Sequence, residues 1–442
     1  LKNDTSRNIF LKGLNGSGPA MTIASLFTKG RGSYVCVLND QEEAGYFYHD
    51  LMQLTASNEV YFFPSAYRRA IKYGHVDPAN EILRTEVLSR LQDPDASFVI
   101  VTYPDALAER VVAREVLKEN TLKISVGEKL DNMFVSDVLD EYGFEQVDYV
   151  YEPGQYALRG SILDVFSFSY EFPYRIDFFG DEVETIRTFD VETQLSKEKL
   201  DSIYIVPEMS KNAKDSTSLL GSLPRNTFIA ARDLAWCKER IGSVWNDDPV
   251  VADEESFADI DQMRKKLVQA EDFLREVLDF RRIHFGARPM GTADATIHFS
   301  TQTQPIYHKN FDRVSESFHK YLDEGYTLYI LSDQEKQANR IRMIFEDRGD
   351  NIPFTAVNRT IHEGFADDTL RICFFTDHQL FDRFHKFNLK SDKARSGKIT
   401  LSLKELNQFS QGDYIVHIDH GVGQFGGLVR TEVNGKMQEA IK

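Results

Sequence analysis

Short apolar runs at residues 8–14, 33–38, 59–63 and 97–103 alternate with stretches at 19–28, 41–54 and 79–92 where apolar side chains recur every three or four positions. The first kind reads as buried strands and the second as helices. Their alternation predicts an α/β domain with a parallel, doubly wound sheet over residues 1–117. From 118 to 206 the pattern changes to period-two alternation, longest at 156–166 and 174–189, and helical spacing becomes scarce, which predicts a β-rich insert. Residues 207–303 read as mostly helical and polar, with a charged helix over 259–282. A strand at 326–332 followed by a helix at 333–348 predicts a second, smaller α/β domain over 304–385. Residues 386–410 read as a solvated connector, because its stretch 386–398 carries Lys386, Lys390, Lys393, Arg395 and Lys398 against the single acid Asp392, among Ser and Gly. A new β module opens at 411–442, where Asn434-Gly435 is a strong hairpin signal and a small antiparallel barrel is expected to begin. The barrel would leave an open strand edge at the chain end, and Leu1 stands where an initiator Met would, so the chain is expected to be a piece of a longer protein.

Between the first strand and the first helix lies Gly13-Leu14-Asn15-Gly16-Ser17-Gly18, the strand-to-helix setting of a phosphate-binding loop. Such a loop needs a Lys to reach the outer phosphates and a Ser or Thr to hold Mg²⁺, and here Pro19 and Ala20 follow instead. Pro is tolerated in a first helical turn, so the helix survives while a charge and a metal ligand are lost. Gly13, Gly16, Gly18, Pro19 and Ala20 are therefore read as a degenerate, inactive phosphate loop of P-loop type.

In the β-rich insert, Tyr174-Arg175-Ile176-Asp177-Phe178-Phe179 alternates so that Tyr174, Ile176 and Phe178 share one face and Arg175, Asp177 and Phe179 the other. An aromatic on a polar face beside an Arg is the usual composition of a protein-binding hot spot, although Phe179 capping a second small core is the plainer reading. Arg159-Gly160 precedes the partner strand and brings a second guanidinium toward this face if the two strands form a hairpin. Asp181, Glu182 and Glu184 are candidates to pair with these arginines on a solvated surface.

Composition narrows the function. Hydrophobic residues at 42% and charged residues at 27% belong to an ordinary globular chain. A net charge of −17 has the wrong sign for a protein whose main task is to wrap phosphate backbone, which favours protein partners over direct DNA binding through 386–398. No apolar run reaches the ~18 residues of a membrane span, so no membrane partner and a cytoplasmic location are expected. The three cysteines, Cys36, Cys237 and Cys373, are far apart and apolar in setting, and read as reduced core thiols. His417, Asp419 and His420 lack a third spaced cluster for a metal site, and no nucleophile-base arrangement has motif-like context, so no catalytic residue and no metal are assigned.

Three stretches resemble the bacterial transcription-repair coupling factors: Tyr151-Glu152-Pro153-Gly154-Gln155-Tyr156-Ala157-Leu158-Arg159-Gly160, the run from Pro173 to Glu184, and Val416-His417-Ile418-Asp419-His420-Gly421-Val422-Gly423. The first two are also similar to excinuclease B, whereas the third is specific to the coupling factors. The resemblance implies an excinuclease-B-like module of three parts: an inactive first domain, a β-rich insert that docks on excinuclease A, and a further part over 207–303 that closes the module. It carries the docking role onto Arg159, Arg175 and Phe179, and a contact with the RNA polymerase β subunit, weakened or absent in this chain, onto Lys436 to Ile441. It also implies that the ATP- and Mg-dependent motor, through which the family engages DNA, lies outside this chain, so that the chain itself is not an enzyme and takes no cofactor. A nucleotide-dependent excinuclease B or helicase-like enzyme using the glycine turn is the competing expectation.

Overall fold

The computed structural model describes residues 6–30, 32–67, 76–93, 95–191, 193–207, 216–247, 263–383, 385, 387, 389, 412–417, 421–433 and 436–441. The chain divides into two compact units, Leu1–Asp392 and Lys393–Lys442.

The first unit is built on a seven-stranded sheet. Strands β1 (Asn8–Lys12), β2 (Tyr34–Val37), β3 (Val60–Phe62) and β4 (Val99–Thr102) alternate with helices α1 (Gly18–Gly30), α2 (Gln41–Thr55) and α3 (Pro78–Arg90), as the sequence pattern predicts. All ladders in the sheet are parallel, and three of its strands come from far downstream: Phe228–Ala231, Arg281–His284 and Ala295–His298. β1 sits between Arg281–His284 and Ala295–His298, so residues beyond 207 complete the sheet begun by the first hundred. Ile9, Leu11, Val35, Val37, Val101, Ile229 and Ile283 are buried along it, consistent with a sheet covered on both faces. Cys36, Cys237 and Cys373 are buried free thiols. Asp40 caps α2 by accepting from the Glu43 amide, and the Glu43 carboxylate accepts in return from the Asn39 amide.

The expected charged helix over 259–282 is corrected. Its described part is a helix at Ala270–Leu278, after which Arg281–His284 is a buried parallel strand. Phe280, Ile283, His284 and Phe285 are all enclosed, and burial between β1 and Phe228–Ala231 outweighs the helical propensity of the neighbouring charged residues.

The second sheet has six strands: Glu145–Gln146, Gln155–Arg159, Ile162–Val165, Tyr174–Phe179, Glu182–Phe189 and Ser196–Leu200. Every ladder is antiparallel except the first, and the order follows the chain. One helix, Asn132–Glu141, packs Val135 and Leu139 into the same core as Tyr156, Leu163, Ile176 and Val183. A third, five-stranded mixed sheet lies between 301 and 376, flanked by helices Phe311–Asp323 and Glu335–Asp347.

In the second unit, Tyr414–His417 pairs with Gly421–Gln424, and Leu428–Val433 with Lys436–Ile441, both antiparallel. They form two separate two-stranded ladders. The Asn434-Gly435 turn, Asp419, His420 and nearly all of the basic connector lie outside the described residues. Among the described residues no helix is long and apolar enough to cross a membrane.

Candidate functional site

The six-stranded sheet carries the candidate docking residues on the face turned away from its helix-covered core. Tight turns at Gly160 and Gly180, both at positive φ (63° and 65°), close the hairpins on either side of Ile162–Val165 and Tyr174–Phe179. Alternation then sends Tyr174, Ile176 and Phe178 into the core, while Phe179 at the hairpin end is 78% exposed. The register shift between Asp177 and Phe178 is a bulge, which accommodates the change of pairing just before the tip.

Register aligns a row across this face: Ala157 opposite Asp164, Asp164 opposite Arg175, and Arg175 opposite Arg187. Asp164 is fully buried, and its carboxylate is the centre of the row. Arg175 donates from Nε to Asp164 Oδ1 at 2.7 Å and from Nη2 to Oδ2 at 2.9 Å, a bidentate pair, and from Nη1 to the Gln194 carbonyl at 3.1 Å. Arg159 Nη2 donates to the same Oδ2, while its Nη1 donates to the Asp148 carbonyl at 2.8 Å. Arg175 also lies 4.4 Å over the Phe189 ring, and Arg159 5.0 Å over the exposed Tyr149 ring. The Asp164 hydrogen bond holds the Arg175 guanidinium above its ordinary pKa. Two residues along from Arg175 on the same strand, Asp177 accepts from Thr185 Oγ1 at 2.6 Å and from Arg187.

The expected pairing of the arginines with Asp181, Glu182 and Glu184 is therefore corrected: Arg159 and Arg175 pair with Asp164, and Arg187 with Asp177. Cross-strand neighbours on the same face reach one another directly, whereas Asp181 lies in the turn and Glu182 and Glu184 at the hairpin end of the next strand. The three candidates also differ in access, since the side chain of Arg159 is 36% exposed and that of Arg175 only 16%. Asp164 escapes a reading that looks for exposed residues, yet a lone acid in the apolar run Ile162-Leu163-Asp164-Val165 signals that a buried cation must face it.

The glycine turn has the opposite character. Gly13 has φ 92°, and a Cβ there would lie 2.2 Å from the Phe299 carbonyl oxygen; at Gly16 it would lie 2.8 Å from that of Gly364. The Ser17 amide donates to the Glu363 carbonyl at 3.0 Å, and the Glu363 amide donates back to Ser17 Oγ at 3.0 Å. The Asn15 amide donates to Thr301 Oγ1 at 2.8 Å, and the Gly18 amide to the Asn15 carbonyl at 3.0 Å. Pro19 and Ala20 are buried in the first turn of α1. The space over the turn is lined by main-chain oxygen, the wrong polarity for a phosphate. Beneath it, burial pushes the Asp50 carboxyl up to about 7, against hydrogen bonds from Ser17 and from the His362 amide at 2.6 Å.

Lys436 and Ile441 bound the last strand, with Lys436 opposite Val433 and Ile441 opposite Leu428. Among the described residues no group of three or more His, Cys, Asp or Glu side chains is arranged to hold a metal ion.

A sheet with a charged, aromatic-tipped face is thus built into an α/β unit whose own glycine turn is closed by the chain itself. Residues 122–210 match the family described as the UvrB interaction domain, and residues 409–442 the CarD-like/TRCF RID domain. Over 98% of its length the chain is similar to the transcription-repair-coupling factors of Staphylococcus aureus, at 23% identity, and of Staphylococcus epidermidis, at 22%. It spans 43% of the length of those relatives. These matches bear out the resemblance read from the three sequence stretches: the chain is similar to the transcription-repair-coupling factors.

Proposed function

We propose that this chain is the non-catalytic recruiting part of a transcription-coupled nucleotide-excision repair protein, and that it docks on excinuclease A through the charged face of its six-stranded sheet. The observation that carries the reading is Phe179, a 78% exposed phenyl at a hairpin tip on the same face as Arg159, within the span that matches the UvrB interaction domain. An exposed aromatic flanked by a guanidinium already fixed in geometry is a low-entropy anchor for an apolar pocket rimmed by carboxylates. In this reading Arg159 offers its outer edge to the partner, and Arg175 belongs to the face as support.

The match of 409–442 to the CarD-like/TRCF RID domain supports a second contact, with the RNA polymerase β subunit, through the strand Lys436–Ile441 and the beginning of a small barrel. The degenerate glycine turn is read as a structural joint with no nucleotide, metal or cofactor role, supported by the Pro19-Ala20 replacement and by the Glu363 and Gly364 carbonyls over it. ATP-driven movement on DNA is assigned to parts of the protein beyond this chain.

The test is titration of the chain against purified excinuclease A, with Phe179→Ala as the single substitution. Truncating a central aromatic anchor is expected to weaken binding by about 2 kcal/mol. Unchanged affinity would move the docking surface elsewhere.

A further inference from the structure

We propose that Asp164 is a positioning residue for the docking face and that Arg175 acts through it, supporting Arg159 without itself touching the partner. This rests on the docking reading above and deepens it. Asp164 lies on the middle strand, with Ala157 and Arg175 as its cross-strand neighbours and Arg159 bound to it from the strand end. Its carboxylate has no exposure to solvent, so it has nothing to offer a partner directly. Both of its oxygens are taken: Oδ1 by Arg175 Nε, and Oδ2 by Arg175 Nη2 and Arg159 Nη2. Arg175 is spent in the same way, with Nε and Nη2 on Asp164, Nη1 on the Gln194 carbonyl and its plane over Phe189. Its side chain is 16% exposed. Arg159 differs: one terminal nitrogen is on Asp164 and the other on the Asp148 carbonyl, the plane covers Tyr149, and the side chain is 36% exposed.

The chain of dependence is therefore Arg175 to Asp164 to Arg159. A free arginine on a strand samples many rotamers, and fixing it at the moment of binding costs affinity. Here Asp164 has already fixed it. Removing the carboxylate leaves the guanidinium on the surface with its charge but held only by the Asp148 carbonyl and the Tyr149 ring, so encounter is preserved while the docked state is weakened.

The experiment is a double-mutant cycle in the 442-residue chain, pairing Asp164→Asn with Arg159→Ala and measuring association and dissociation rates on excinuclease A. Phe179→Ala serves as the control for the docking reading. Asp164→Asn removes a negative charge from the face, so its association rate is expected to hold or rise while dissociation quickens about tenfold. In the Arg159→Ala background the same substitution is expected to change affinity by less than about twofold, because the residue it positions is gone. Local unfolding would instead weaken binding equally in both backgrounds. If Asp164→Asn melts below the working temperature, Arg175→Lys, which keeps the charge but not the fork, takes its place in the cycle. Equal losses in both backgrounds, or an unchanged dissociation rate with Phe179→Ala still damaging, would overturn the positioning role and leave the docking reading standing. A neutral Phe179→Ala would remove the docking reading itself.

Discussion

The glycine turn at Gly13 to Gly18 and the charged face around Asp164 make opposite use of polar groups. The turn carries the recognisable motif, yet its Asn15, Ser17 and Gly18 amides are all answered from within the chain, by Thr301, Glu363 and Asn15. The sheet face carries no motif that names a chemistry, yet it ends in an unburied phenyl ring and a third-exposed guanidinium. Hydrogen-bonding capacity marks a ligand site only where it remains unspent; spent on the chain itself, it marks a joint.

The sharpest way to break this comparison is at Gly13. Its φ of 92° disfavours any side chain, and a Cβ would lie 2.2 Å from the Phe299 carbonyl oxygen, where the backbone cannot yield cheaply. Gly13→Ala is expected to destabilise the first unit by about 3 kcal/mol, read as a lowered denaturation midpoint. A neutral substitution would mean that the turn is free to move and is a site after all. The matching test on the other region is Phe179→Ala, with the binding loss of about 2 kcal/mol given above and no change in melting, since the ring supports nothing inside. Lowered melting there would return Phe179 to the role of a core cap.

What the sequence revealed divides along the same line. Period-two alternation over 174–179 separates the buried Tyr174, Ile176 and Phe178 from the exposed Phe179, because a strand's side-chain direction depends only on position parity. Strands β1 to β4 and their helices are legible for the same local reason. The strand Arg281–His284 is not, since two arginines hide its apolar positions and only its two parallel neighbours make it a strand. The closure of the glycine turn by Glu363 is beyond any local pattern, and Asp164 is found only once the register sets it opposite Arg175.

A smaller effect sharpens the view of the joint as buried structure. Behind the glycine turn, Tyr46 of α2 stacks on His362 with ring centres 3.6 Å apart, and His378 stacks on His385 at 4.2 Å, with His49 edge-on to His385. Burial lowers His49, His362 and His378 to about 4, and lowers His385 as well. The charged groups facing them are Asp50, Asp333, Glu363, Asp377 and Arg383. A histidine whose folded pKa is depressed stabilises fully above its unfolded value near 6.5, and that stability is lost as pH falls toward about 4. Asp50, pushed up to about 7, works the other way, favouring the folded state on acidification between about 7 and 3.8. Asp377, which burial also raises, acts in the same direction as Asp50, but the three imidazoles lowered to about 4, with His385 beside them, outweigh the two carboxyls, so the melting temperature is expected to fall between about pH 6.5 and 4.5, and His49→Gln to flatten the fall. A melting temperature that rises on acidification would show the carboxyls, not the imidazoles, to dominate the joint.

The smallest expected effect is on nucleotide. Millimolar Mg-ATP is expected to leave the melting temperature of the chain unchanged, because a ligand raises it only by binding the folded state. Binding at the glycine turn would first have to strip the Ser17 amide from the Glu363 carbonyl and the Glu363 amide from Ser17 Oγ, and move the Gly364 carbonyl away from Gly16. The phosphates would then meet Pro19 and Ala20 where a phosphate loop offers an ammonium and a magnesium-holding hydroxyl. The exchange surrenders protein hydrogen bonds that exist for phosphate contacts lacking both of their strongest partners. A reproducible rise in melting temperature that depends on the triphosphate, and that Gly16→Ala abolishes in a folded chain, would show that the joint opens and that the two regions differ less than their hydrogen bonds suggest.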